Sequence, residues 1–528
     1  MRVASEPELA GLARALGAAT AGDPTPPEKA LLRRAIAPAD ALVVHARQRI
    51  DAGHDPLGDA FCQLRTAGER RPHGATYTPL PIVRSMLEWA HASGEPVRVV
   101  DPGAGSGRFI VGAGRLFRRA RLVAVEVDPL AALLARAHLV VAGLAGRAEV
   151  RLEDYRAMHL PAVAGTTLFA GNPPYVRHHD IPPRWKRWLS ETAARHGLPA
   201  SQLAGLHVHF FLATLGHVRA GDYGAFITAA EWLDVNYGAL VRELLLGGLG
   251  GTALHVIEPT ASPFPDAAST AVISCFQVGR PGKTIALRRV ASLAELGALD
   301  RGRPTRVSRM AATGRWTPLT RSPRRATPGL VELGELCRVR RGQVTGANRF
   351  WIASEHSVDL PRAVLRPTIT RARELLGAGN CLRSSQHLRR VIDLPEDLGA
   401  LTASERRVVE AFLRLGRAGG VDRGYIASHR HAWWSVSLYE PAPVLATYMA
   451  RRPPAFVVNL AGARHINIAH GLYPRVPMSA DQLDALVRHL STTTSVTDGR
   501  TYAGGLTKFE PREMERLLVP TPEALASA

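Results

Sequence analysis

The sequence predicts an α/β protein built on a doubly wound, mostly parallel sheet, with a helical segment before it and a mixed α/β domain after it. Three observations carry that prediction. Between residues 71 and 280, short apolar strands alternate with helical patterns, as in VRVVDPG, FIVGAGRLFRRA, RLVAVEVD and AALLARAHLVVAG. Such alternation is what parallel strands joined by crossover helices require. A glycine-rich turn, PGAGSGRF, follows the first of these strands. Candidate functional side chains then fall at successive strand ends, where a doubly wound sheet binds its ligands.

Taken in order, residues 1–70 read as an N-terminal helical segment rich in alanine and leucine, for example EKALLRRAIAPADALVVHARQRI. Residues 71–280 read as the domain of alternating strands and helices. Residues 281–330 read as a basic connector, because the stretch 280–330 holds twelve Lys/Arg against two Asp/Glu, a net +10, with several prolines. Residues 331–528 change texture again, with short strand-like pieces, Gly/Pro turns and the adjacent Trp433 and Trp434, and predict a separate mixed domain. The two tryptophans suit a core better than a contact surface.

Composition narrows the function classes. The chain has 528 residues, is 46% hydrophobic and 21% charged, and carries a net charge of +20. The charge points to a polyanionic partner. No run of about 18 apolar residues is present, so no membrane span is expected. The beginning of the sequence lacks a long apolar stretch and is not expected to be a secretory signal. Cys62, Cys275, Cys337 and Cys381 lie far apart without a CxxC pair, which predicts reduced thiols, no zinc site and a cytoplasmic protein.

The first strand ends at Asp101, and Gly103, Gly105 and Gly107 permit a tight turn that a ligand can approach closely. The second strand carries Glu126 near its tip, placed to accept hydrogen bonds from ribose hydroxyls. NAD would be served equally well, so Asp101 and Glu126 do not choose the cofactor. Asp128 suits a helix N-cap. The third strand ends in Asp154-Tyr155, where a carboxylate can accept from an adenine amino group and an aromatic ring can cover its face.

The fourth strand, TTLFAG, runs into Asn172-Pro173-Pro174-Tyr175, the most specific local signal. Two prolines stiffen the loop and remove two backbone donors. The Asn172 side-chain oxygen and the Pro173 carbonyl can accept both N–H bonds of an exocyclic amino group, and Tyr175 can stack on the ring that bears it. Accepting both N–H bonds favours a pyramidal nitrogen whose lone pair can attack a methyl sulfonium in line. Catalysis is then positioning and electrostatics. The sequence has no Pro-Cys dipeptide, which argues against a thiolate attack on cytosine C5.

The order of these motifs resembles the γ-arranged, Taq-type adenine-specific DNA methyltransferases of restriction–modification systems, over about residues 55–515. VVDPGAGSGRF, VAVEVDP, LEDY and NPPYV follow in the family's order, after a lead-in, GATYTPLPIVRSMLEWA. The resemblance implies a Rossmann-like class I domain that uses S-adenosyl-L-methionine, with Thr76, Tyr77, Thr78 and Pro79 at its methionine end. It implies cofactor contacts from Asp101, Gly103, Gly105, Glu126, Asp154 and Tyr155. It also implies that Phe264, in SPFPD, contacts a flipped adenine beside the Asn172–Tyr175 loop. The region after residue 331 resembles family target-recognition domains, and Arg340, Arg341, Thr345, Asn348 and Lys508 are its candidates for DNA contact.

The expected activity is therefore site-specific N6-adenine methylation of double-stranded DNA, with the base extruded from the duplex. A separate restriction nuclease is the expected partner, since neither an Asp…Glu-x-Lys nor a His-Asn-His pattern is found. A monomer is expected, nucleoid-associated, with no metal. RNA adenine methylation, protein glutamine methylation and a non-catalytic DNA-binding subunit are the competing readings.

Overall fold

A computed structural model describes residues 3–65, 69, 77–258, 270–280, 282–320, 329–502 and 506–526. The chain divides into two compact units, one from Met1 to Ser322 with Ala503–Gly505, the other from Pro323 to Tyr502 with Leu506–Ala528.

The first unit opens with four helices, α1 (Glu6–Ala15), α2 (Pro26–Arg33), α3 (Asp40–Asp51) and α4 (Pro56–Leu64), and a fifth, α5 (Leu80–Ser93), leads into the sheet. Strand β1 (Arg98–Asp101) is followed by α6 (Arg108–Leu116), β2 (Arg121–Glu126), α7 (Pro129–Val141), β3 (Ala148–Leu152) and β4 (Thr167–Gly171). Helices α8 (Pro183–Arg195) and α9 (Leu206–Leu215) precede β5 (Tyr223–Ala229). Helix α10 (Ala239–Leu246) precedes β6 (Gly251–Ile257) and β7 (Ala271–Gln277).

Among the described residues the sheet has nine strands, completed by β8 (Thr284–Val290) and β9 (Arg303–Arg306), in the order β3-β2-β1-β4-β5-β7-β6-β8-β9. Strands β3 to β5 are parallel, and β7 inserts antiparallel between β5 and β6. The order reverses at β1, whose neighbours are β2 and β4. This reversal is the switch point that places the turn after β1 beside the end of β4.

Alternate residues feed two cores. Val100, Val123, Val125 and Phe169 enter one, and Val99, Leu122, Ala124 and Leu168 enter the other, as the two-residue period of a pleated strand requires. Helix α7 is apolar nearly all round because its outer side is also covered. Leu130, Leu133, Leu134 and Ala137 pack with Leu9, Leu12, Ile50, Leu57 and Phe61 of the N-terminal helices. Asp128 caps this helix, accepting from Leu130 N at 2.9 Å and Ala131 N at 3.3 Å.

One expectation is corrected here. Residues 281–330, read as a basic connector, supply β8, parallel to β6, and β9 along the sheet edge, and they bury Met310 and Trp316. The alternation in TIALRRV sends Ile285 and Leu287 into one core, and Val290 enters the other. The charge count concealed this, since Arg288 is used to bond loop carbonyls and Arg289 pairs with Glu258 at 2.8 Å.

The second unit holds a mixed five-stranded sheet of Cys337–Arg341, Ala469–Pro474, Val444–Thr447, Phe456–Asn459 and Cys381–Leu382, in that order, with three smaller sheets. Its longer helices are Ala403–Ala418 and Ala480–Thr493. Trp433 and Trp434 pack against a core containing Trp351 and Phe412. Among the described residues no helix is long and apolar enough to cross a membrane.

Candidate active site

Two turns meet at the carboxyl end of the sheet. After β1 the chain turns through Gly105 at φ 55° and Gly107 at φ 96°, a backbone conformation that glycine adopts without strain. The turn is pinned to β2, because Ala104 N donates to the Val125 carbonyl at 2.9 Å and Gly105 N to Glu126 Oε2 at 2.7 Å. After β4 the chain continues through Asn172-Pro173-Pro174-Tyr175. A Cβ at Gly103 would stand 3.5 Å from Pro174 Cδ and 3.6 Å from the Asn172 carbonyl oxygen. The glycine turn and the Asn-Pro-Pro loop therefore touch.

Both turns line one cavity that opens to solvent, together with Tyr77, Thr78, Glu126 and Tyr155. The Glu126 carboxylate accepts from the backbone N–H groups of Gly105, Val127 and Asp128, at 2.7, 2.8 and 3.0 Å. Burial nevertheless pushes its carboxyl above the ordinary value. Asp101 lies behind the lining, fully buried, with Oδ1 accepting from Gly103 N at 3.4 Å and Oδ2 unpartnered among the described residues. Burial pushes its carboxyl up to about 8, with the Glu126 charge adding to the effect. A larger cavity, about 1120 Å³ of open space, lies among α3, α5 and α6, and neither Asn172 nor Glu126 lines it.

Asn172 is 8% exposed, and its Nδ2 donates to Thr78 Oγ1 at 3.0 Å. Pro79 follows and opens α5. The Tyr175 ring lies 6.4 Å from that of His207, and burial raises its phenol well above the ordinary value. Thr76 and Phe264 lie outside the described residues.

Asp154 is placed differently from the sequence expectation. It does not line the cavity. Its carboxylate is held by Arg156, which donates through its backbone N at 3.0 Å, Nε at 2.9 Å and Nη2 at 2.6 Å. The Arg156 guanidinium in turn stacks on Trp185 at 3.9 Å. Glu153 lines the cavity instead. Tyr155 is buried there, its hydroxyl 3.0 Å from Thr214 Oγ1 and its ring 5.3 Å from Phe210. Sequence reasoning missed Phe210. The available signal was the apolar HFFLATL helix beyond the Asn-Pro-Pro-Tyr loop, which brings one ring to the cavity while Phe211 enters the core.

In the second unit, Arg341 and Lys508 flank the Tyr448 ring at 5.7 and 5.8 Å, and Arg340 lies 5.5 Å from Tyr439. Thr345 is buried, with its hydroxyl bonded to Asn348 Oδ1, so of the expected DNA-contact residues it is withdrawn from the surface.

Comparison with known proteins places these features in context. The type II methyltransferase M.XamI of Xanthomonas campestris pv. amaranthicola is 52% identical over 492 residues, 93% of either chain. M.AccI of Acinetobacter calcoaceticus is 21% identical over 470 residues, 85% of either chain. The family model of the type II methyltransferase M.Eco57I C-terminal domain matches residues 323–528. Among solved structures, the fold is shared with the type IIL restriction-modification enzyme MmeI in complex with DNA. That match has a TM-score of 0.53 at 14% identity and covers 89% of this chain and 72% of that one. The type IIG restriction endonuclease BpuSI matches with a TM-score of 0.50 at 15% identity, over 98% and 70%.

Proposed function

The chain belongs to the type II DNA methyltransferases of restriction–modification systems, which use S-adenosyl-L-methionine, and on that premise we propose that it methylates the N6 amino group of an adenine extruded from double-stranded DNA. The observation that carries this reading is the close approach of the glycine turn to the Asn172–Tyr175 loop at one cavity, where a Cβ at Gly103 would stand 3.5 Å from Pro174 Cδ. A methyl donor held on the turn and an amino group held on the loop would then be neighbours.

The residues present fit the cofactor. The Glu126 carboxylate is fixed by three backbone N–H groups at the tip of β2, as binding of a ribose diol requires. Val127, Tyr155 and Phe210 offer flat or apolar walls for an adenine ring. The Tyr77 hydroxyl is buried beside the turn without a partner among the described residues, and with Thr78 it would meet the methionine end. Bound there, the cofactor supplies an electrophilic methyl on a sulfonium.

The protein's own task is positioning. Asn172 accepts one N–H of the target amine through its side-chain oxygen, and Pro173 the other through its carbonyl. This localises the nitrogen lone pair and orients it for in-line attack, an effect of orientation and fixed dipoles. Tyr175 stacks on the base. Burial pushes the Cys275 and Cys337 thiols upward, and neither offers the thiolate that attack on cytosine C5 would need. Exposed Arg177, Arg184 and Arg187, just beyond the loop, and Arg340, Arg341 and Lys508 of the second unit supply phosphate contacts that offset the cost of extruding the base.

The test is long-read sequencing of DNA from cells expressing the protein, paired with Asn172→Ala. N6-methyladenine in one short motif is expected, lost in Asn172→Ala while cofactor and DNA binding persist. Methylation of cytosine, or wild-type turnover by Asn172→Ala, overturns the reading. Tritium transfer to plasmid DNA, RNA and total protein separates it from RNA and protein substrates.

A further inference from the structure

We propose that Asp55 and Arg108 are positioning residues for methyl transfer, which orient the Asn172 carboxamide through Thr78 and so make the N-terminal helical segment part of the catalytic apparatus. The inference rests on the assignment of Asn172 to the target amine.

A continuous chain of hydrogen bonds carries it. Asp55, 5% exposed at the N-terminus of α4, accepts from Gly58 N at 2.7 Å, Ser106 Oγ at 2.5 Å and Arg108 Nε at 2.6 Å. His138 Nε2 lies 3.4 Å from Asp55 Oδ1, the oxygen that accepts from Gly58 N. Arg108 Nη1 donates to the Thr78 carbonyl at 2.9 Å, and the Thr78 hydroxyl accepts from Asn172 Nδ2 at 3.0 Å. The second terminal nitrogen, Nη2, donates to Asp59 Oδ1 at 2.6 Å, so Nε and Nη2 are held at the start of α4 while Nη1 holds Thr78. A planar guanidinium bonded at three of its nitrogens cannot rotate, and it fixes the backbone of Thr78 as a rigid strut would. Burial works against ionising Asp55, yet His138 and Arg108 hold its carboxyl below the usual range, so the strut stays charged.

Packing at Gly58 points the same way. A Cβ there would stand 2.1 Å from Asp55 Oδ2 and 2.5 Å from Ser106 Oγ. The glycine leaves room for the carboxylate at the one place where it reaches both Ser106 and Arg108. Thr78 alone would suffice to hold Asn172 if its backbone were fixed locally. Instead, its carbonyl is tied through Arg108 to Asp55, twenty-three positions upstream.

The experiment measures single-turnover methylation of unmethylated plasmid DNA by the full-length protein at saturating cofactor, together with cofactor Kd and thermal melting. Asp55→Asn and Thr78→Val are each expected to slow the step by about tenfold to a hundredfold, the scale of a small misplacement of a reacting group. In Asp55→Asn, whose side chain does not line the cofactor cavity, cofactor Kd should change by less than about threefold, a small fraction of that loss. The double variant should be no slower than the slower single one, because both interrupt the same chain. Thr78→Ser, which keeps the hydroxyl, should recover part of the rate lost in Thr78→Val.

Additive losses, a wild-type rate in Asp55→Asn, or a loss confined to cofactor Kd would overturn the proposal. Should Asp55→Asn fail to fold, Arg108→Lys decides. It keeps the charge beside Asp55 but cannot also reach the Thr78 carbonyl, so it should be slowed to the same extent as Thr78→Val, and a wild-type rate refutes the strut. Wild-type turnover by Asn172→Ala would instead remove the parent assignment, whatever the double variant does.

Discussion

The attachment of the N-terminal helices can be tested at Glu28 and Arg136. Glu28 on α2 is fully buried and Arg136 on α7 is 2% exposed. Arg136 Nε donates to Glu28 Oε1 at 2.6 Å and Nη2 to Oε2 at 3.3 Å, a bidentate pair. The same guanidinium bonds the Ala21 and Val150 carbonyls, the latter at 3.0 Å. Glu28→Gln leaves that cation buried without its counter-charge, at a cost of about 3–5 kcal/mol. At about 2 °C per kcal/mol for a unit of this size, the melting temperature should fall by roughly 6–10 °C. Arg136→Met should cost more, because it also strands two carbonyls at about 1–3 kcal/mol each. Replacing both residues should recover only part of the loss, since those carbonyls stay unpaired. Thermal unfolding followed by far-ultraviolet circular dichroism gives all three values. A drop below about 2 °C in Glu28→Gln, or an ordering in which Arg136→Met is the milder change, would refute the reasoning.

Two further outcomes follow from the site. Asp101 has a carboxyl pushed up to about 8 in the folded protein, against an ordinary value of 3.8, so between those values the unfolded chain has released a proton that the native state keeps. Its contribution to stability must then fall as pH rises from about 4 to 8, by up to about 1.4 kcal/mol per unit. Urea unfolding of the wild type and of Asp101→Asn at pH 5, 6.5 and 8 should show the variant gaining on the wild type as pH rises, and parallel curves would contradict this. If Tyr175 acts by stacking, Tyr175→Phe should transfer methyl groups within about threefold of the wild-type rate. Tyr175→Ala should lose roughly tenfold or more, matching a stacking contribution of about 1–3 kcal/mol. A large loss in Tyr175→Phe would assign the work to the hydroxyl.

Much of the scaffold could be read from the chain because its signals are local. Apolar period, glycine placement and proline stiffness set strand β1, the turn through Gly105 and Gly107, the Asp128 cap and the loop after β4 without reference to distant residues. A doubly wound order then brings the ends of β1, β2 and β4 together, so Gly103, Glu126 and Asn172 were placed on one side of the sheet before any coordinates. Elsewhere local reading misled. Eleven basic residues suggest a connector over 281–330, where the period of TIALRRV is that of a strand. Charge counts report solvation in bulk and do not say which carbonyl an arginine will cover.

What the sequence determined by itself was the order of elements and the type of each turn, because backbone conformation follows from neighbours along the chain. Which partner each charge takes was decided only in three dimensions. Asp154 and Glu153 are adjacent in sequence, yet Arg156 engages the first and leaves the second to line the cavity. Asp55 reaches Arg108, and Glu28 reaches Arg136, across more than fifty residues. Such pairs form where packing brings two elements within about 3 Å and excludes water, and no pattern along the chain encodes that distance.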